Sequence, residues 1–265
     1  MSIFQELRIR VVITLRQMGL IPLLERAKLE WDRRNRQKRF EPMPIAEGAH
    51  ILVACTYYEH PEWVRGMIAS IQAQSFKDWT LVLMDDGSPN ASLELAVEHM
   101  EGFSNTTTLK AHKNQGAYAC RNEATSYMSE PEIPWTHVTF IDPDDLAYSD
   151  WLEHVLECIG ANQGVVRVLL ERLEKGLKSM KRRVLSHAPT IWTRSVWEQL
   201  GGFAYVRVAA DTELLLCAEY AKPTINIFKW VQLAQKFRIH AGNASQTSLV
   251  ERKRWLIERE LELRN

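Results

Sequence analysis

Short apolar runs that stop abruptly at polar clusters constrain this chain more than any other feature. Ile51-Leu-Val-Ala-Cys55, Thr80-Leu-Val-Leu-Met84 and His137-Val-Thr-Phe-Ile141 are of strand length and show no solvent-facing alternation. Runs of this kind suit parallel strands covered on both faces by helices. The intervening segments fit that demand. Pro61 to about Gln74 is amphipathic, with proline in the first helical turn, and helices are also predicted from about Pro89 to Met100 and from Ala117 to Met128. Thr106 to Ala111 reads as a further strand, and Ser149 as the N-cap of a helix running through Ile159. Strand and helix thus alternate at intervals of roughly 25–30 residues, the pattern of an α/β fold with a mostly parallel sheet flanked by helices.

The second half is less regular. Val165 to Leu170 reads as a strand, Glu171 to Arg183 as a charged stretch, and Arg194 to Leu200 as a short helix. A stronger helix is predicted over Asp211 to Ala221, followed by two strands, Thr224 to Phe228 and Leu233 to Ile239. A charged helix from about Ser248 closes the chain.

Charge is unevenly shared. Net charge is zero, which gives no global pull toward nucleic acid, yet residues 1–40 hold ten Lys/Arg against four Asp/Glu. That segment reads as a basic helical arm, and Glu41-Pro-Met-Pro-Ile-Ala-Glu-Gly48 as a linker in which two prolines stop any helix. The expected organisation is an arm and linker over 1–47, an α/β domain over 48–248 and a C-terminal helix over 249–265. The arm has three readings: self-association or a protein partner, an anionic membrane surface near a lipid-linked acceptor, or a solvated flank. Cys55, Cys120, Cys158 and Cys217 lack metal spacing and read as reduced, mostly buried thiols. With no signal-peptide core, a cytoplasmic protein is expected, at most peripheral to the inner face of a membrane.

The acidic clusters carry the chemistry. Asp142-Pro143-Asp144-Asp145 follows one apolar run and Asp85-Asp86-Gly87-Ser88 another. Carboxylates at i and i+2 leaving a strand project to the same side. Three acids in four residues repel one another unless a cation compensates, and oxygen-only ligands suit Mg²⁺ or Mn²⁺. Each cluster has a plainer explanation, since Asp and Pro build turns and cap helices. Their shared position, just after apolar strands, favours the ligand reading, because open α/β sheets bind ligands beyond the carboxyl ends of their strands. The chain has neither a GxGxxG nor a GxxxxGK[ST] phosphate cradle.

Taken in order, Thr56-Tyr57-Tyr58-Glu59, Asp85-Asp86-Gly87-Ser88, Asn114-Gln-Gly-Ala-Tyr-Ala-Cys-Arg121-Asn122 and Asp142-Pro-Asp-Asp145 resemble the motifs of the family-2 inverting glycosyltransferases, which have the GT-A fold. Gly201-Gly202-Phe203, Ala210-Asp211-Thr212-Glu213 and Arg238-Ile-His240 with Asn243 and Ser245 extend the resemblance over roughly residues 50–248. The resemblance implies a metal-dependent transfer of sugar from a nucleotide-diphosphate donor, a UDP-sugar at family level, to a hydroxyl of a glycan or lipid-linked acceptor, as in bacterial surface polysaccharide synthesis. It further implies that Thr56, Glu59 and Asp85 line the nucleotide pocket with Asp86 nearby. Arg121 would approach the nucleotide or its phosphates, and Asp142 the ribose or metal. Asp144 would be the principal metal ligand, His240 an additional metal or diphosphate ligand, and Asp211 the general base.

The chain departs from the family pattern in places. It has Cys-Thr-Tyr-Tyr-Glu where Pro-Thr-Tyr-Asn is common, and Ala210 where an acid is common, which leaves Asp211 as the local base unless Glu213 substitutes. Glu251-Arg-Lys-Arg254-Trp255 is similar to the Gln-x-x-Arg-Trp motif of processive synthases, but begins with Glu. Two rivals remain at this point: a catalytically silent sugar-nucleotide-binding or scaffold domain, and a nucleotidyltransferase. The second would want a Gly-rich, Lys/Arg-bearing segment near the first strand, and residues 51–60 have none.

Overall fold

The computed structural model describes residues 42–59, 61–89, 92–102, 105–129, 134–173, 179–221 and 225–238, together with 255–256, 259–260 and 262–263. The basic segment 1–40, His240, Asn243 and Ser245 lie outside the described residues.

In chain order the elements are β1 (Ile51–Tyr57), α1 (Pro61–Gln72), β2 (Trp79–Asp85), α2 (Ser92–Val97) with a 3-10 turn at Glu98–Met100, and β3 (Thr106–Lys110). They continue with α3 (Ala117–Tyr127), β4 (His137–Phe140), β5 (Leu146–Ala147), α4 (Trp151–Ile159), β6 (Gly164–Leu173) and β7 (Ser179–Thr193). Last come α5 (Arg194–Leu200), α6 (Ala210–Leu216) with a π turn at Cys217–Ala221, and β8 (Asn226–Arg238).

The strands form one sheet in the order β3-β2-β1-β4-β7-β6-β8-β5. β1 pairs in parallel with both β2 and β4, and β2 in parallel with β3. β7 runs antiparallel to β4 and β6, while β8 runs parallel to β6 and carries β5 antiparallel on its edge. The expected α/β architecture with a mostly parallel sheet is present.

All seven residues of β1 and of β2 are buried, which explains their unbroken apolar runs. The two-residue side-chain period divides each strand between two cores. Ile51, Val53, Cys55 and Tyr57 pack with Leu81 and Leu83 against Val64, Met67 and Ile68 of α1 and Val155 and Leu156 of α4. Leu52, Ala54, Val82 and Met84 pack on the other face against Cys120 and Ala124 of α3, Trp197 of α5 and Leu214 of α6. Gln74 is wholly buried and clips α1 to α4: its amide donates to the Ser70 and Tyr148 carbonyls and accepts from the Leu152 N–H.

Three expectations need correction. The two strands predicted near the end are a single β8, whose pairing with β6 shifts register between Arg167 and Leu170. That bulge interrupts the side-chain period and makes one strand read as two. Much of the charged stretch 171–183 is strand, because the chain folds back and pairs Glu171 with Arg183 and Leu173 with Ser179. Asp150, not Ser149, sits at the N-cap of α4, and the Ser149 carbonyl instead accepts the Ser75 N–H at 2.7 Å. The four cysteines are free thiols, three of them buried. Among the described residues no helix is long and apolar enough to cross a membrane.

Candidate active site

The parallel pairing brings three strand ends to one edge. Tyr57, the last residue of β1, lies beside Asp85, the last of β2, which lies beside Lys110, the last of β3. Ala54 pairs with Phe140, so carrying that register forward two residues sets Asp142 alongside Thr56. Two strand spacings separate β2 from β4, about 10 Å. That span suits a nucleoside diphosphate better than a single ion.

Adjacent carboxylates after β2 have different duties. Asp85 is fully buried; its Oδ1 accepts the Ser88 N–H at 2.9 Å, while its Oδ2 has no hydrogen-bond donor and faces Lys110 Nζ at 3.5 Å. With only the half-exposed Lys110 ammonium as an ion-pair partner and no hydrogen bond, this buried oxygen can still accept a donor from outside the chain. Asp86 is buried too, but its oxygens are used within the chain. They accept the N–H of Gln115 at 2.6 Å and that of Gly116 at 2.9 Å, and the Cys120 thiol. Asp86 therefore fixes the entry to α3 rather than presenting a free face to a ligand. Gly87 makes this packing possible: its φ is +72°, and a Cβ there would lie 2.7 Å from the Asn114 nitrogen.

The first loop is held to the same edge. Thr56 donates its hydroxyl to the Ala117 carbonyl at 3.2 Å. Glu59 adopts a positive φ of 55° and donates its N–H to Ser88 Oγ, leaving its side chain exposed. Both residues thus flank Asp85 through the Ser88 turn and the start of α3.

Beyond β4 the acids meet a cation. The Arg121 guanidinium, almost fully buried, pairs with Asp142 and lies 5.6 Å from the Tyr118 ring centroid and 5.5 Å from that of Phe140. Burial alone would lower the Arg121 pKa; the charges around it, Asp142 first and Asp211 among them, outweigh it and raise the value. The guanidinium stays charged. Cys55 senses the same field: burial, then the charge of Asp142, pushes its thiol well up, with Arg121 opposing and Asp144 and Asp145 adding. Asp144 and Asp145 are buried at this edge.

α6 supplies the last carboxylate. Ala209, just before it, sits in the left-handed region at φ 65°, and Asp211 follows in the first turn. Tyr118 donates its hydroxyl to Asp211 Oδ1 at 2.9 Å. Burial, then the Asp211 charge, raises the Tyr118 pKa, so this hydroxyl remains a donor. Beneath the contact, Phe203 packs on Tyr118, Phe140 and Trp197 with centroid distances of 5.1, 4.9 and 5.1 Å. Asn122 accepts the Phe203 N–H and donates to its carbonyl, tying the Gly-Gly-Phe turn to α3.

The predicted Arg121 and Asp142 therefore meet directly, Tyr118 links Asp211 to Arg121, and Asp85, Thr56 and Glu59 share the neighbouring strand ends. Tyr118 lies inside the Asn114–Asn122 motif but received no role from the sequence. The available signal was its place three residues before Arg121 on a helix, which puts both on one face. A cavity of about 20 Å³ is lined by Arg121, Phe140, Asp142 and Asp145 with Gln235 and Phe237 of β8. A larger one, about 220 Å³, lies between α3 and α5, lined by Ser126, Ser129, Glu198 and Tyr205. It contains none of the predicted site residues, and the buried carboxylates lie elsewhere.

Among the described residues no three His, Cys, Asp or Glu side chains converge closely enough to enclose a metal. This does not disqualify a divalent ion. Magnesium-type sites commonly use one or two carboxylates and complete their shell with substrate phosphates and water. Asp142 and Asp144 offer that oxygen-only donor set, so the residues fit Mg²⁺ or Mn²⁺.

Residues 51–210 match the family described as Glycosyl transferase family 2. The chain belongs to that family. This glycosyltransferase is 28% identical over 117 residues, 44% of its length, to the teichoic acid poly(glycerol phosphate) polymerase of Staphylococcus epidermidis. It is 30% identical over 118 residues, again 44% of its length, to glycosyltransferase GlyA of Streptococcus pneumoniae. Those matches span only 16% of each relative. A cholesterol galactosyltransferase of Borreliella burgdorferi is 30% identical over 103 residues, 39% of this chain and 27% of that one. Among solved structures, S. aureus TarS 1-349 in complex with UDP superposes with a TM-score of 0.58 at 16% identity, covering 72% of this chain and 60% of that one. The Pyrobaculum calidifontis mannosyltransferase PcManGT, in complex with GDP-Man and Mn²⁺, gives 0.64 at 13% identity, covering 95% and 73%. These likenesses establish the GT-A fold of this glycosyltransferase.

Proposed function

We propose that this glycosyltransferase moves a sugar with inversion from a nucleotide-diphosphate donor, a UDP-sugar, to a hydroxyl of a glycan or lipid-linked acceptor in bacterial surface polysaccharide synthesis. One observation carries the reading. The Asp211–Tyr118 hydrogen bond, the Arg121 guanidinium over the Tyr118 ring and the Arg121–Asp142 pair bring a carboxylate from α6 to the acidic end of β4. The names of the relatives and the UDP and GDP-Man bound to the solved structures support a nucleotide-sugar donor.

In this reading the nucleobase donates an N–H to Asp85 Oδ2, and Thr56 and Glu59 line the same end of the pocket. Arg121 faces the diphosphate, where its fixed positive charge opposes the negative charge that grows as the bond to the sugar breaks. A divalent ion held by Asp144 with Asp142 would supply further neutralisation of that charge. Asp211 takes the proton from the acceptor hydroxyl. The acceptor oxygen then attacks the anomeric carbon from the face opposite the departing nucleoside diphosphate. A well-placed general base contributes on the order of 10²–10⁴-fold to rate. The basic segment 1–40 belongs to the same proposal as a means of self-association or of contact with an anionic membrane surface at the cytoplasmic face. Liposome flotation of the intact chain against one starting at Glu41 separates these.

The decisive assay is transfer and donor hydrolysis over a panel of nucleotide sugars, with and without Mn²⁺, in the wild type and in Asp144→Ala and Asp211→Asn. The expected result is metal-dependent transfer lost in both variants, with donor binding kept in Asp211→Asn. Full metal-dependent transfer by Asp144→Ala removes the metal assignment. Nucleotide-sugar binding without turnover on any acceptor would leave a binding protein instead.

A further inference from the structure

We infer that Tyr118 is a positioning residue for this glycosyltransferase, its hydroxyl orienting the Asp211 carboxylate for proton abstraction. The inference rests on the reading of Asp211 as the general base. It gives a role to a residue that the Asn114–Asn122 motif contains without one.

Asp211 stands in the first turn of α6, two residues after Ala209 in the left-handed region, and is buried there. Tyr118 Oη donates to Asp211 Oδ1 at 2.9 Å, and among the described residues no donor reaches Oδ2. One oxygen is therefore tethered and the other left to receive the acceptor's proton. A carboxylate that accepts a single fixed hydrogen bond keeps its charge and loses its torsional freedom about the side chain.

The tyrosine is itself immobilised. Its ring packs on Phe203 with centroids 5.1 Å apart, and the Arg121 guanidinium covers it at 5.6 Å. Phe203 is in turn fixed through both its N–H and its carbonyl by Asn122, on the same helix as Tyr118. The hydroxyl thus occupies one place relative to Arg121, and through Arg121 relative to Asp142. This couples the position of the base to the phosphate end of the donor site. A misplacement of about 1 Å at a reacting group costs up to about 10²-fold in rate.

The test is Tyr118→Phe, which keeps the ring and its packing and deletes only the hydroxyl. Steady-state kinetics with the best donor and acceptor from the panel are read beside nucleoside diphosphate affinity by calorimetry. The expected result is a kcat reduced tenfold or more, with donor KM and nucleotide affinity within about twofold of wild type. Asp211→Asn and the double variant are measured in parallel, and loss of the hydroxyl should matter little once Asp211 is gone. A Tyr118→Phe enzyme with wild-type kcat overturns the inference, as does one whose defect lies in nucleotide affinity. Tyr118→Leu, which also removes the ring, controls for packing: a kcat loss in Tyr118→Leu alone overturns the hydroxyl's role. If Asp211→Asn itself turns over normally, the base assignment fails instead, and the two failures are told apart.

Discussion

The neighbouring carboxylates Asp85 and Asp86 should respond in opposite ways to the same truncation. Asp86→Ala strips the acceptor from two backbone N–H groups, Gln115 at 2.6 Å and Gly116 at 2.9 Å, in a residue only 3% exposed. Hydrogen bonds to a charged acceptor contribute about 1.5–3 kcal/mol each, and the orphaned donors stay at least partly buried, so the loss should be about 3–5 kcal/mol. For a domain of this size that lowers Tm by on the order of 10 °C. Asp85→Ala removes one bond to the Ser88 N–H and the ion pair with half-exposed Lys110, but also a buried charge whose Oδ2 accepts no hydrogen bond. The two effects oppose each other, and stability should change by less than about 1 kcal/mol. Nucleotide affinity should move the other way: Asp85→Ala loses it while still folded. Urea denaturation and thermal melts of both variants, beside nucleotide titration, read the contrast. Equal melting temperatures for wild type and Asp86→Ala would refute the structural duty given to Asp86. Undiminished nucleotide affinity in Asp85→Ala would refute the assignment of its orphaned oxygen.

Further outcomes follow from particular contacts. Gly202 has φ +76° and a Cβ there would lie 2.7 Å from Asn122 Oδ1, so Gly202→Ala should cost about 1–3 kcal/mol and loosen the turn beneath Tyr118, measured by denaturation and kcat together. Burial holds the His137 pKa down at about 4, against an ordinary value of 6.5. The unfolded chain therefore binds the proton first as pH falls, and stability should drop from pH 6.5 toward pH 4 by up to about 3 kcal/mol. The loss should be flatter in His137→Gln, and an identical pH slope in the two proteins would contradict it. Burial raises the Cys120 and Cys158 thiols to about 12, and the Cys217 thiol to about 11. These three should label slowly with a thiol reagent at pH 8 until denaturant is added. Arg259→Ala leaves the buried Glu213 without the partner it now holds at 2.8 Å, and should lower Tm by a few degrees.

The central sheet was legible because its physics is local. A strand buried on both faces must be apolar throughout, and β1 and β2 say so residue by residue. The acidic ends were legible for a related reason: a sharp change from Val-Leu-Met to Asp-Asp-Gly marks where a strand leaves the core. What depends on distant partners was not. Nothing within 171–183 announces that Arg183 will pair with Glu171, and the β8 bulge is dictated by register against β6. In the site, Asp85 and Asp86 look alike as letters. Their difference comes from the turn at Gln115 and Gly116, about thirty positions away, which occupies one and not the other. Tyr118 was missed on the same ground, since its partner Asp211 lies 93 residues further on.

The most direct test of the account is a crystal structure with a nucleotide-sugar donor and Mn²⁺, using anomalous scattering to place the metal. The account predicts the base against Asp85 and the diphosphate beside Arg121. It also predicts a manganese peak at Asp144 and the sugar's anomeric carbon open to the side of Asp211. A nucleotide bound away from these strand ends, or a manganese peak with no contact to Asp144 or Asp142, would contradict it.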